Sequence, residues 1–184
     1  MTKQEHYKQL LLAWSAKVNL IGPEVKRNLD AHIDEAIAAA RLLEPQGEVL
    51  DFGSGGGLPA IPMAIEFPAA RYHLVEADQK KWSFLKYVAR ECALNAVVYG
   101  ERLEKLVANL GPDFRLDLVT SRAVGHPEKW VPLLAPFLST RGRVALFESS
   151  PAAPAIEDFE LGSVHELPRG ASNYLVILKR SDAR

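Results

Sequence analysis

The sequence predicts an α/β fold: two N-terminal helices, then a mostly parallel central sheet with helices on both faces and an antiparallel C-terminal strand. Three observations predict it. From Glu48 onward, short apolar runs alternate with amphipathic stretches, the texture of βαβ units. The first run, Val49-Leu50-Asp51-Phe52, feeds a glycine-rich segment, Gly53-Ser54-Gly55-Gly56-Gly57. The last two runs, Ser163 to Leu167 and Tyr174 to Leu178, are placed to pair as a hairpin. Right-handed crossovers set the carboxyl ends of parallel strands along one edge, where ligands bind.

Each element has its own signal. Thr2 and Glu5 read as a capping box, and Tyr7, Leu10, Leu11, Trp14 and Val18 then form one apolar stripe at helical spacing. Gly22-Pro23 punctuates. Val25, Leu29, Ile33, Ile37 and Ala40 form a second stripe that ends before Pro45-Gln46-Gly47. Leu58 to Phe67 reads as a helix with Pro59 in its first turn, where no N–H is needed, and with Pro62 bending that turn. Tyr72 to Glu76, Ala96 to Tyr99, Leu116 to Thr120 and Arg143 to Phe147 read as the second to fifth strands. Lys80 to Cys92 is a helix carrying Trp82, Leu85, Val88 and Ala89 inward, and Glu128 to Leu138 is another. The Pro/Ala-rich stretch from Ser149 to Ile156 reads as loop.

Composition bounds the chemistry. At 184 residues the chain is expected to be one domain, with residues 1–45 a helical extension and residues 46–184 the core. A formal charge of −1 provides no global positive field, so any nucleic-acid contact must rest on a local patch. The single cysteine, Cys92, leaves no disulfide framework and no Cys-rich zinc site, and no metal is expected. The start is too polar for a secretory signal, and no apolar run approaches the roughly 20 residues that cross a bilayer. A cytoplasmic protein without membrane contact is the expectation. The oligomeric state is open, with a monomer expected.

The glycine segment follows a strand and precedes a helix, where glycine removes the Cβ that would block a ligand and main-chain N–H groups favour an anionic group. A phosphate-binding loop would need a Gly-Lys-Ser/Thr ending, which is missing. A dinucleotide fingerprint would need a sixth-position glycine, and Leu58 stands there. Asp-x-Gly-x-Gly-x-Gly is the pattern of class I methyltransferases. It makes Gly53, Ser54, Gly55 and Gly57 contacts for the carboxylate of S-adenosyl-L-methionine and puts Asp51 near its ammonium. Glu76, one βα unit further on, can accept hydrogen bonds from both ribose hydroxyls, although an isolated acid there is equally an ordinary surface residue.

Several segments together resemble the bacterial 16S rRNA guanine-N7 methyltransferases, the RsmG or GidB family. They are Trp14-Ser15-Ala16-Lys17-Val18-Asn19-Leu20, His32-Ile33, the run from Leu50 through Gly53-Ser54-Gly55-Gly56-Gly57-Leu58-Pro59-Ala60-Ile61-Pro62, Lys80-Lys81 with Phe84-Leu85, Arg102-Leu103-Glu104, and Ser121-Arg122-Ala123. The resemblance implies a class I (Rossmann-like) methyltransferase fold, S-adenosyl-L-methionine as cofactor, and 16S rRNA or the small ribosomal subunit as partner. It implies that Gly53 and Leu58 contact the cofactor, that Leu103 and Glu104 flank the adenine, and that Arg122 positions substrate or cofactor. Read without it, Leu58 is core, Glu104 is a first-turn helix acid and Arg122 is a surface charge.

The chain departs from that family in places. Glu148-Ser149 stands where it has Lys-Gly, Asn173 where it has an arginine, Ala31 before His32, and Glu35 where it has Asp. Most of these remove positive charge on the acceptor side. Guanine N7 has a lone pair and no proton to lose, so no general base is expected, and His32 reads as a packing residue. Lys3, Lys8, Lys17, Lys26, Arg27, Lys80 and Lys81 are candidates for a phosphate-facing rim, though scattered lysines are commonly solubility charges. Two alternatives stay open: a methyltransferase acting on a small molecule or protein, and a non-catalytic S-adenosylmethionine-binding module.

Overall fold

The computed structural model describes residues 1–168 and 174–181; Asn173 lies outside them. Among the described residues, seven strands form one sheet: β1 (Glu48–Phe52), β2 (Arg71–Val75), β3 (Ala96–Tyr99), β4 (Leu116–Arg122), β5 (Leu138–Glu148), β6 (Phe159–Glu166) and β7 (Tyr174–Arg180). Their order is β3-β2-β1-β4-β5-β7-β6. β1 to β5 are parallel, and β7 runs antiparallel to both β5 and β6. The strand order reverses between β1 and β4, which is where an open α/β sheet leaves a crevice for ligand.

The α-helices that cover the sheet are α1 (Lys3–Trp14), α2 (Pro23–Arg27), α3 (Leu29–Leu43), α4 (Ala60–Glu66), α5 (Gln79–Glu91), α6 (Leu103–Asn109) and α7 (Pro127–Leu134) among the described residues. Tyr7 and Leu11 of α1, Leu43 of α3, Ile61 and Met63 of α4, and Phe84, Leu85 and Val88 of α5 build the core on one face. Leu103 and Leu106 of α6 and Trp130, Val131 and Leu134 of α7 build the core on the other, against Leu50, Val119 and Val144. Among the described residues, no helix is long and apolar enough to cross a membrane.

Several boundaries differ from the sequence reading, each for a physical reason. The Thr2–Glu5 capping box forms, but α1 stops at Trp14 although its apolar stripe runs to Val18. The chain turns there so that Leu20 and Ile21 pack against Gly56. The second stripe is two helices, because Asn28 adopts a non-helical backbone (φ −115°, ψ 29°) between α2 and α3. Pro59 sits just before α4, and Pro62 is the third residue of α4, within the first turn, where a missing N–H breaks no bond. After α7 the chain tightens into a 3₁₀ turn at Ala135–Phe137, containing Pro136, so the expected helix to Leu138 ends early. β5 starts at Leu138 instead of Arg143. α6 has no counterpart in the element reading.

The N-terminal helix reaches the glycine loop directly. Tyr7 is fully buried and its Oη donates to the main-chain oxygen of Gly56 at 2.8 Å. Removing that hydroxyl leaves a buried carbonyl without its partner, at a typical cost of about 1–3 kcal/mol. Tyr7→Phe is therefore expected to lower the urea midpoint by that free energy at unchanged m-value.

Candidate functional site

The loops that follow β1 to β5 open on one sheet edge, and the residues singled out from sequence lie along it. Asp51 is the penultimate residue of β1, Glu76 follows β2, Leu103 and Glu104 begin α6 after β3, and Arg122 ends β4. Glu148 ends β5 on the same edge.

The glycine loop is tied to the neighbouring strand. Val75 O accepts from both Gly53 N (3.0 Å) and Ser54 N (3.1 Å), and Ser54 O accepts from Gly57 N at 2.7 Å. Gly55 N donates to Glu76 Oε2 at 2.9 Å. The main-chain N–H groups of Gly53, Ser54, Gly55 and Gly57 are thus all used within the protein, and α4 begins three residues after the loop. The free donors expected for an anion are not what this loop presents. What it presents at Gly53, with φ +74°, is a close approach: a Cβ there would stand 2.4 Å from Val124 Cγ2.

Asp51 is 1% exposed. Its Oδ1 accepts from Thr120 Oγ1 at 2.6 Å, while its Oδ2 is buried with no hydrogen-bond partner among the described residues. Burial pushes its carboxyl up to about 6, against the opposing hydrogen bonds of Thr120 and Ser54. A buried carboxylate oxygen without a donor suits a cationic group that arrives with the ligand. Glu76 is held from both sides, by Gly55 N on Oε2 and by Asp78 N on Oε1 at 2.8 Å. Each oxygen keeps a second lone pair for a hydroxyl donor. Asp78 itself caps α5, accepting from Lys80 N and Lys81 N.

Leu58 and Leu103 are buried in the core, so what they offer a ligand is main chain; Glu104 is exposed in the first turn of α6. Arg122 is more ordered than a surface charge. Its side chain is 10% exposed, and its Nη1 donates to Glu35 Oε2 at 3.4 Å. Glu35 is fully buried on α3, with its Oε2 3.6 Å from His32 Nδ1, and His32 Nε2 lies 3.9 Å from Glu24 Oε2. Burial and then the Arg122 charge push the His32 imidazole below its usual range, which keeps it neutral as a packing group. The sequence offers one signal for this arrangement: a carboxylate on the inward face of an otherwise apolar helix.

Arg122, Val124, His126, Phe147 and Glu148, with Val25 of α2, line a cavity of about 520 Å³. Because Val124 packs on Gly53, the cavity abuts the glycine loop. Ala123 and His126 in its wall both have φ +59°. Burial raises the Glu148 carboxyl above its usual range. Of the candidate phosphate rim, the lysines of α1 and α5 lie apart. Lys8 pairs with Asp30, and Lys3 reaches Ala93 O at the far end of α5 from Lys80 and Lys81. Over α5 that separation is on the order of 20 Å, at 1.5 Å per residue.

Known proteins match this chain in both sequence and fold. The family described as rRNA small subunit methyltransferase G, GidB, matches residues 1–160. A Ribosomal RNA small subunit methyltransferase G from Cereibacter sphaeroides is 36% identical over 146 residues, covering 76% of this chain and 68% of that protein. One from Mycolicibacterium smegmatis is 33% identical over 180 residues, covering 93% and 75%. A crystal structure of a mutant of MtNAS in complex with S-adenosylmethionine superposes with a TM-score of 0.64 at 15% identity, over 97% of this chain and 76% of that one, a likeness of fold. The match over most of the chain, carried on a class I methyltransferase sheet, makes this protein a member of the rRNA small subunit methyltransferase G (GidB) family.

Proposed function

We propose that this chain is an S-adenosyl-L-methionine-dependent methyltransferase that methylates N7 of a guanine in 16S rRNA. The observation that carries the reading is the carboxyl edge of the sheet. There the buried Asp51 Oδ2 without a donor and the fixed Glu76 lie beside a glycine loop, next to a cavity walled by Arg122. The residues fit the donor: Asp51 meets its ammonium, and Glu76 accepts from its ribose hydroxyls. Gly53, Ser54, Gly55, Gly57 and the Leu58 main chain let the loop approach it closely, and Leu103 and Glu104 border the adenine.

When bound, the donor supplies a methyl group on a sulfonium that needs no further activation. The protein's task is then position and dry surroundings. Arg122 directs hydrogen bonds into the acceptor cavity, and Glu35 offsets its charge, so a cation forming at N7 does not face an unbalanced guanidinium. No residue needs to take a proton from N7. The N-terminal helices work as one unit with the core, supported by the Tyr7 bond to Gly56 and by Val25 in the cavity wall. We place the enzyme in the cytoplasm as a monomer, with the small subunit as its partner and no metal.

Three outcomes test this. Incubation of the pure protein with S-adenosyl-L-methionine and unmodified small subunits is expected to yield 7-methylguanosine by nucleoside mass spectrometry; its absence would overturn the assignment. Gly53→Ala forces a Cβ into Val124 and is expected to weaken donor binding by at least about tenfold, or roughly 1.4 kcal/mol, by calorimetry. The third is a pH effect. The folded protein holds the Asp51 proton more tightly than the unfolded chain does, because its carboxyl is raised from 3.8 to about 6. That contribution to stability is present at acid pH and is lost as pH rises through about 6. A rise of this size corresponds to on the order of 3 kcal/mol. Asp51→Asn is expected to flatten this slope in urea titrations and to abolish donor binding.

A further inference from the structure

The acceptor cavity has one carboxylate on its wall, and the mechanism above does not use it. We propose that Glu148 reads the Watson–Crick edge of the acceptor guanine, accepting hydrogen bonds from its N1–H and its exocyclic amino group. The inference rests on the proposed function, in that it takes the cavity as the acceptor site.

Arg122 and Glu148 end adjacent parallel strands. Arg122 is in register with Phe147, so Glu148 lies one residue further toward the open edge. Side chains alternate along a strand, so Arg122 leans to the α3 face of the sheet and Glu148 to the other, and the cavity spans the edge between them. Arg122 is the guanidinium of the cavity lining and Glu148 its carboxylate; Val25, Pro127 and Phe147 supply apolar wall between and around them. A purine entering this cavity meets donors on one side and an acceptor on the other.

Guanine matches that arrangement. Its O6 accepts from an arginine and leaves the N7 lone pair for the methyl group, while N1–H and the 2-amino group lie side by side as donors for a carboxylate. Adenine presents a lone pair at N1, which faces a carboxylate unfavourably, and has no 2-amino group. Among the described residues no hydrogen bond or ion pair occupies the Glu148 carboxylate, and burial is the one cause that raises it. An acceptor in a half-dry wall without donors of its own gains most from a base that brings two.

The test uses guanosine, inosine and adenosine 5′-monophosphates as probes. Their affinities are measured by calorimetry on the full chain with S-adenosylhomocysteine present. Inosine keeps N1–H and lacks the 2-amino group. The native protein is expected to bind the guanosine nucleotide about tenfold or more tighter than the inosine one, and E148Q to lose that difference while keeping its affinity for S-adenosylhomocysteine. The adenosine nucleotide is expected to bind the native protein more weakly than either. On small subunits, E148Q is expected to raise KM with little change in kcat. Equal affinity of the native protein for guanosine and inosine nucleotides overturns the proposal, as does an undiminished preference in E148Q. If the native protein forms no 7-methylguanosine at all, the function reading fails instead, and the two failures are told apart.

Discussion

A carboxylate is folded into the end of β1 with one oxygen satisfied and the other not, and the site is arranged around it. Thr120 holds Asp51 Oδ1 from the neighbouring strand at the point where the strand order reverses. Two fixed strands therefore set the direction in which Oδ2 is left. An isolated buried acceptor is unfavourable on its own, and it becomes favourable once a cation sits against it. On the proposed function, stability is given up at the position where binding energy is gained. The adjoining glycine loop is packed as closely, because any side chain at Gly53 would collide with Val124.

Support for the loop comes from outside the sheet. Val75 O gathers two of its N–H groups and Glu76 a third, so the second strand braces the first turn. From beneath, Tyr7 and the Leu20-Ile21 segment press on Gly56. The N-terminal helices are therefore part of the site's foundation. The same holds on the acceptor side, where Glu35 of α3 fixes the Arg122 guanidinium and Val25 of α2 closes the cavity wall. His32 packs beside Glu35 in the same buried layer.

What can be read from sequence divides along the range of the interactions. Strands β1 to β5, the capping box, the glycine loop and Glu76 depend on periodicity or on spacing within one βα unit, and these are legible. Thr120 to Asp51, Arg122 to Glu35 and Tyr7 to Gly56 are contacts across 69, 87 and 49 residues, and no local pattern announces them. α6 is a seven-residue helix with no side-chain cap, too short to show a period. The end of α1 departs from its stripe because tertiary packing of Leu20 and Ile21 outweighs continuation to Val18. Free loop N–H groups are the expectation when a helix directly follows the glycines; with α4 starting at Ala60, Val75, Glu76 and Ser54 take the N–H groups of Gly53, Ser54, Gly55 and Gly57 instead.

Charge sets the last constraint. A chain of formal charge −1 gathers little RNA by long-range attraction, Lys3 lies at the opposite end of α5 from Lys80 and Lys81, and Lys8 is paired with Asp30. Phosphate contacts fix register on a nucleic acid but carry no sequence information. A protein with few of them must draw selectivity from the base itself. That places the burden on a cavity where a guanidinium, a carboxylate and apolar walls meet within reach of the donor loop. The loss of positive charge at Glu148, which from sequence alone reads as a weakening of the RNA side, becomes in this geometry an exchange of backbone attraction for base discrimination.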